Sequence, residues 1–316
     1  MTAKRSPRVV VLAGGTSAER EVSLGSGMAS AVALARSFDV RFVDVRADEL
    51  PRCINAQQEV VFSTLHGVFG EDGGMQRLLS QAGIEFAGCD AKSSELTFDK
   101  VKTKDVVKAV GVEGARAIEF EGEQKPTVDQ IVEELGASIV FKPNRSGSSV
   151  GLSLCANRTE VAESWAKIET GAWLVEERII GRELTVGVID SRALPVVEIV
   201  PKSGIFDYRS KYTKGMTDYL APAPLPKKLA KRAQELAVKS YAACGCRDYA
   251  RIDFMMTGKN ELIFLEINTL PGMKETSLLP MGANCGGIDF TALVKALVSP
   301  ACDRFFETYA TTFQHE

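Results

Sequence analysis

Apolar and polar positions fall into distinct blocks along this chain. Residues 8–13 (Arg-Val-Val-Val-Leu-Ala) are an almost unbroken apolar run, the pattern of a strand buried on both faces. Gly14-Gly15-Thr16-Ser17 then marks a turn, and AEREVSLGSGMASAVALARS carries the spacing of an amphipathic helix. DVRFVDV at 39–45 and EVVFSTLHG at 59–67 predict further strands, and GMQRLLSQAG at 74–83 a helix. Strands alternating with helices indicate a parallel α/β sheet, whose sites gather beyond the strand C-termini.

The pattern changes near Ser93. A helical stretch, SSELTFDKVKTKDVVKAVG, precedes strands around 115–120 and 138–142 and the run WLVEERII at 173–180. Strands ELTVGVID and PVVEIV follow from Gly181, then a long polar loop, PKSGIFDYRSKYTKGMTDYLAPAP, and the helix KKLAKRAQELAVKSYAACG. Two strand-like runs close the pattern, with an added helix expected over 301–316. At 316 residues the chain exceeds the length at which one core stops growing. The expected units are 1–94, an N-terminal α/β domain; 95–180, a central subdomain; and 181–316, a C-terminal α+β domain.

Composition narrows the function. The hydrophobic share of 45% and charged share of 25% are ordinary for a soluble enzyme. A formal charge of −3 with no basic stripe argues against nucleic acid as a partner. The apolar runs are strand-sized, so no membrane partner is expected. The N-terminal MTAKRSPR leads into a Gly-Gly-Thr turn rather than a cleavage site. Seven scattered cysteines fit free thiols in a reducing cytoplasm, and Cys244-Gly-Cys246 lacks the second pair a zinc site would need. Neither G-x-G-x-x-G nor a P-loop occurs.

The candidate chemistry lies mainly on the last two strands. Arg251-Ile252-Asp253 and Glu266-Ile267-Asn268 place hard oxygen ligands of the kind Mg²⁺ prefers, and Glu266 and Asn268 share a strand face. A polar strand edge beside the Pro271-Gly272 turn would look the same. Lys142 ends a strand before Pro143 and opens Arg145-Ser-Gly-Ser-Ser-Val-Gly151, whose N–H groups and hydroxyls suit phosphate oxygens. It could equally be a flexible connector. Lys100 would ordinarily be a solvated helix charge. Val175, Glu176 and Glu177 could present backbone groups to a purine edge and Glu183 could take a ribose hydroxyl pair, or the run could be an edge strand with solvated acids. Glu19 sits at a helix N-terminus, where the dipole alone favours an acid. His66 lies in a glycine-rich turn that suits either a substrate contact or a cap. Lys211-Tyr212 lies in the long polar loop, whose length suggests a lid.

Taken in order, these stretches resemble D-alanine–D-alanine ligases of the ATP-grasp superfamily. The matching segments are GGTSAEREVSLGSG (14–27), HGVFGEDGGMQ (66–76), FDK (98–100), KPNRSGSSVG (142–151), VEERIIGRELTV (175–186), FDYRSKY (206–212), ARIDFM (250–255) and LEINTLPGM with TSLLP (265–280). The resemblance implies an ATP-grasp fold behind an N-terminal parallel α/β domain. It implies ATP between the central and C-terminal parts, with Lys100 and Lys142 on the phosphates, Glu176, Glu177 and Ile179 lining the adenine pocket, and Glu183 facing the ribose. Asp253, Glu266 and Asn268 would hold two Mg²⁺ ions, with Mn²⁺ as the alternative cation. Glu19, linked to Ser148 and Tyr212, would bind the ammonium of the first D-alanine, with His66 and Lys211 nearby. Arg251 and the Gly272 N–H would stabilise an oxyanion, and Ser277 with Leu278 would hold the second carboxylate.

The implied activity is ATP-dependent joining of two D-alanines through a D-alanyl phosphate, in the cytoplasm, for peptidoglycan precursors, by a homodimer. Three positions depart from the family pattern: Ser146 where Glu is frequent, Asp248 where Gly is common, and Lys274 where Thr is usual. The rivals are a D-alanine–D-lactate ligase, against which Tyr212 speaks, another ATP-grasp carboxylate–amine ligase, and a nucleotide-binding regulator without chemistry.

Overall fold

The structure, a computed structural model, describes residues 6–121, 124–147, 151–168, 170–202, 204, 213 and 215–309. Ser148, Lys211 and Tyr212 lie outside the described residues. Among these residues the strands form three sheets.

In the first, β1 (Arg8–Gly14) lies between β2 (Val40–Val45) and β3 (Glu59–Ser63), all parallel. The unbroken apolar run of β1 serves two cores. Val10 and Leu12 pack with Met75 and Leu79 of α2 (Gly74–Gln81), while Val9 and Val11 face Ala31 and Leu34 of α1 (Arg20–Leu34). A strand covered on both faces needs no polar alternation, and β1 has none before Gly14.

The second sheet is antiparallel, in the order β4–β7–β5–β6. It contains β4 (Ala117–Glu121), β5 (Ile139–Pro143), β6 (Ser153–Cys155) and β7 (Ala172–Glu177), with α5 (Val128–Leu135) and α6 (Arg158–Ala166) packed on its core. Ahead of it, the stretch expected to be one helix is two: α3 (Ala91–Phe98) and α4 (Lys100–Ala109). Asp99 breaks them. Its backbone is extended, its carboxylate caps α4 by accepting from the Lys102 N–H at 3.2 Å, and Asn144 Nδ2 donates to it at 3.0 Å. The break turns the start of α4 toward the loop after β5.

The third sheet runs β11–β10–β8–β12–β13, with β9 paired to β8. Its strands are β8 (Gly181–Ile189), β9 (Arg192–Ala193), β10 (Val197–Pro201), β11 (Thr217–Leu220), β12 (Tyr249–Thr257) and β13 (Leu262–Asn268). β11 corrects the sequence expectation of one continuous polar loop over 201–224. Thr-Asp-Tyr-Leu pairs antiparallel with β10, and Tyr219 packs against Leu278 and Ile199. α7 (Lys227–Ala243) covers the back of the sheet together with Val107 of α4. α8 (Leu278–Cys285) and α9 (Phe290–Tyr309) follow. α9 begins earlier than the expected tail helix and returns to the first sheet, where Leu293, Leu297 and Phe305 share a core with Val9, Val11 and Phe62. No single helix among the described residues is long and apolar enough to cross a membrane.

Candidate active site

β12 and β13 set the chemistry through their register. Arg251 lies opposite Asn268 and Asp253 opposite Glu266, before a bulge at Phe254. Period-two alternation sends Ile252, Phe254, Phe264 and Ile267 into the core on one face. Arg251, Asp253, Glu266 and Asn268 therefore share the other face. Asp253 is buried there and strongly hydrogen-bonded: Thr185 Oγ1 donates to Oδ1 at 2.5 Å, Arg251 Nε to Oδ1 at 3.0 Å and Arg251 Nη2 to Oδ2 at 2.8 Å. The all-oxygen donor set of Asp253, Glu266 and Asn268 fits a hard divalent cation. Of the two Asp253 oxygens, Oδ1 accepts two of these bonds, whereas Oδ2 accepts one and keeps a lone pair for a metal.

Past β13 the chain turns sharply. Asn268 Oδ1 accepts from the Leu270 N–H at 3.0 Å, which bends it into Pro271-Gly272. The Met273 N–H donates to Ser26 Oγ of α1 at 3.2 Å, joining this turn to the first domain. A Cβ at Gly272 would lie 3.0 Å from Ser277 Oγ, so a larger residue there would have to push that hydroxyl aside. Ser277 stands at the N-terminus of α8, where its hydroxyl accepts from the Lys274 N–H at 3.1 Å. The first N–H groups of a helix lack intrahelical partners, so this end of α8 suits a carboxylate.

These groups meet residues of the other two parts around a cavity of about 580 Å³. Of the residues anticipated from sequence, Glu19, His66, Lys100, Arg251, Glu266, Asn268, Gly272, Ser277 and Leu278 line it. Glu19 is buried at the start of α1 without a side-chain capping bond, so capping does not account for it. His66 is buried, its Nδ1 lies 3.8 Å from Glu71 Oε1, and its Nε2 has no hydrogen-bond partner among the described residues. A buried polar atom with no such partner is costly unless a ligand reaches it. Lys100 Nζ donates to the Ser146 carbonyl at 2.5 Å. Ser146 thus meets Lys100 through its backbone, and its departure from Glu leaves that contact intact.

Among the other anticipated residues that are described, Asp253, Lys142, Glu176, Glu177, Ile179 and Glu183 are not part of the cavity wall. Lys142 and Glu176 form a buried ion pair of 2.7 Å, and Lys104 pairs with the second Glu176 oxygen. Glu177, next on β7, points the opposite way and is held by Arg116, whose Nε donates at 2.8 Å. The two side chains thus diverge, while the backbone groups expected to meet a purine edge stay adjacent on β7. Only Glu176 presents its carboxylate to Lys142. Ile179 is half-buried just past β7. Glu183, also half-buried, is two residues before Thr185 and so lies on the same sheet face as Asp253.

Two residues of this region were not singled out from sequence. Glu71 lines the cavity and accepts from the Gly67 N–H at 2.7 Å; its one signal was its place in the glycine-rich turn of His66. Lys104, four residues after Lys100, was indistinguishable from the other helix lysines.

The family model described as D-ala D-ala ligase C-terminus matches residues 106–299, well over half the chain. A D-alanine–D-alanine ligase of Syntrophotalea carbinolica is 42% identical over 299 residues, covering 93% of this chain and 96% of its own. The chain belongs to the D-alanine–D-alanine ligase family. Another member, from Aquifex aeolicus, is 41% identical over 298 residues, covering 92% of this chain and all of its own (100%). The crystal structure of the Bacillus anthracis D-alanine–D-alanine ligase complexed with ATP has a TM-score of 0.82 at 26% identity, covering 96% of this chain and 100% of that one. The VanG D-Ala:D-Ser ligase of Enterococcus faecalis has a TM-score of 0.80 at 29% identity, covering 94% and 99%. The fold is accordingly the ATP-grasp fold of the D-alanine–D-alanine ligases, with a parallel α/β domain ahead of it.

Proposed function

We propose that this chain joins two D-alanine molecules into D-alanyl-D-alanine for peptidoglycan precursors, converting ATP to ADP and phosphate. One observation carries this proposal beyond family membership. A single cavity gathers an acid and a buried histidine (Glu19, His66), a lysine beside a Gly/Ser loop (Lys100) and the Arg251–Glu266–Asn268–Ser277 group.

A carboxylate is a poor electrophile and must be activated before it can form an amide. The γ-phosphoryl of ATP passes to the carboxylate of the first D-alanine, giving D-alanyl phosphate and ADP. The second D-alanine's amine attacks the carbonyl carbon and loses a proton, and phosphate leaves from the tetrahedral intermediate. Phosphoryl transfer needs alignment and charge neutralisation more than a protein nucleophile. Lys100 and Lys142 supply positive charge to the nucleotide, with Glu176, Glu177 and Ile179 along its base and Glu183 at its ribose. Glu19 holds the first ammonium, with His66 beside it and Ser148, Lys211 and Tyr212 assigned to the same substrate. Arg251 and the Gly272 N–H stabilise the oxyanion, and the α8 N-terminus with Ser277 and Leu278 holds the second carboxylate.

Asp253, Glu266 and Asn268 would hold Mg²⁺, two ions in all, with Mn²⁺ able to substitute; bound there, the metal offsets phosphate charge. The enzyme acts in the cytoplasm as a homodimer, which light scattering on the purified chain tests directly.

The deciding experiment is ADP release measured against a panel of D- and L-amino acids and D-lactate, with products identified by mass spectrometry. D-Alanine alone is expected to support turnover and yield the dipeptide. ADP release that needs D-serine or D-lactate as second substrate would reassign the acceptor. ATP binding with no amino-acid-dependent turnover would leave a regulator.

A further inference from the structure

Glu176 of β7 is buried between two lysines from different elements. Lys142 of β5 reaches Oε2 at 2.7 Å, and Lys104 of α4 ion-pairs with Oε1. The register explains the first contact: Val140 lies opposite Glu176, so Lys142, two residues on, is its diagonal neighbour on the same face. Helix periodicity explains the second, since Lys104 lies one turn beyond Lys100 on the same face of α4. The Lys104 side chain is only 11% exposed.

Lys142 is a nucleotide lysine in the proposed chemistry, yet here it rests on Glu176. A single ammonium cannot serve a carboxylate and a phosphate at full strength together. If Lys142 turned to the nucleotide with no other cation present, Glu176 would become an uncompensated buried charge, and removing one partner of such a pair is strongly unfavourable. Lys104 prevents that.

We propose that Lys104 is the positioning residue of the nucleotide site: it keeps Glu176 charged and in place, freeing Lys142 to pass from that carboxylate to ATP. This role rests on the assignment of Lys142 and Glu176 to the nucleotide. Lys104 need not touch the nucleotide itself. The charged groups around it are Glu176 on β7, Lys142 on β5 and Lys100 on α4. Burial, opposed by Glu176 and reinforced by Lys142 and Lys100, pushes the Lys104 ammonium down to about 8. Burial alone would raise Glu176, but Lys142 and Lys104 outweigh it and hold the carboxylate below its ordinary range. An arriving polyphosphate adds negative charge and favours protonated Lys104.

The test is calorimetric binding of Mg-ATP to the full chain, without D-alanine. Lys104→Met is expected to weaken binding about tenfold or more, and Lys104→Arg to recover most of that loss. If Lys104 acts through Glu176, adding Lys104→Met to Glu176→Gln weakens binding no further than the weaker single variant. Near pH 8, in two buffers of different ionisation enthalpy, the wild type takes up a fraction of a proton on binding and Lys104→Arg does not. That uptake holds the inference to account even if Lys104→Met fails to fold. Binding by Lys104→Met within about twofold of wild type, multiplicative losses in the double variant, or no proton uptake by the wild type would overturn the role of Lys104 alone. A wild-type chain that binds no ATP would overturn the nucleotide assignment, and this role with it.

Discussion

Arg251 has two duties. Its guanidinium grips both oxygens of Asp253 and, in the proposed reaction, meets the developing oxyanion. Losing one oxyanion donor typically lowers turnover by about 10²–10³, so Arg251→Ala should lose at least that much in steady-state ADP release. Near-normal turnover would remove Arg251 from the role. Glu266→Gln takes away one of two metal-side carboxylates and should abolish ATP-dependent phosphate release at any D-alanine concentration, as EDTA should in the wild type. Lys274 is a subtler case. Its side chain lies across Gly25 of α1, where a Cβ would overlap its Cε, and it lines the cavity beside the Ser277 turn. An exposed charge contributes about 0.2–1 kcal/mol. Lys274→Thr should therefore raise the acceptor KM roughly two- to fivefold and leave the donor KM unchanged in initial-rate kinetics. That Glu266 and Asn268 share a face was legible in the sequence from strand periodicity, whereas the register that sets Arg251 and Asp253 opposite them was not. Glu71 and Lys104 were not, because only tertiary placement separates them from other surface charges.

The elements were legible wherever one periodicity ran unbroken, as in β1, α7 and β12. They were missed where a single polar residue redirected the chain, as at Asp99, or where a short strand borrowed its apolar partners from far away, as β11 does. Asp248, the departure from glycine, shows how such a position is supported. Its backbone has φ +57°, the left-handed region that glycine adopts without penalty. Its carboxylate is nonetheless well held: Gly88 N–H donates to Oδ2 at 2.9 Å, and Arg304 of α9 donates to Oδ1 and Oδ2 at 2.9 and 2.8 Å. Arg304 also donates to the Phe86 carbonyl at 2.8 Å, so one side chain pins α9 to the end of the first domain and to the turn before β12. Breaking a buried pair costs about 3–5 kcal/mol, and the partial exposure of Arg304 places Arg304→Met at the lower end of that range. Its thermal midpoint should fall clearly. Adding Asp248→Gly should restore part of the loss, since it removes the stranded carboxylate and relaxes the backbone; a further fall in the double variant would refute the pairing.

At the scale of the whole molecule, the cavity has no wall belonging to one unit alone. Glu19 and His66 come from the first domain, Lys100 and Gly147 from the stretch around the second sheet, and Arg251, Asn268 and Ser277 from the third. α9 ties the first and third parts through a shared core, and the segment leading into the second sheet meets the third where the Phe264 N–H donates to the Glu113 carbonyl at 2.8 Å. A ligand bound among all three adds its own cross-links to the folded state. At a hundredfold excess over Kd, binding to the native state alone is worth about 2.7 kcal/mol. A non-hydrolysable ATP analogue with Mg²⁺ should therefore raise the thermal midpoint, and D-alanine should raise it further. Glu19→Gln, which keeps the shape of the side chain and removes its charge, should erase the D-alanine increment and retain that of the nucleotide. If both increments survive in Glu19→Gln, the first ammonium is held elsewhere; if both vanish, Glu19 supports the fold of the site rather than the substrate.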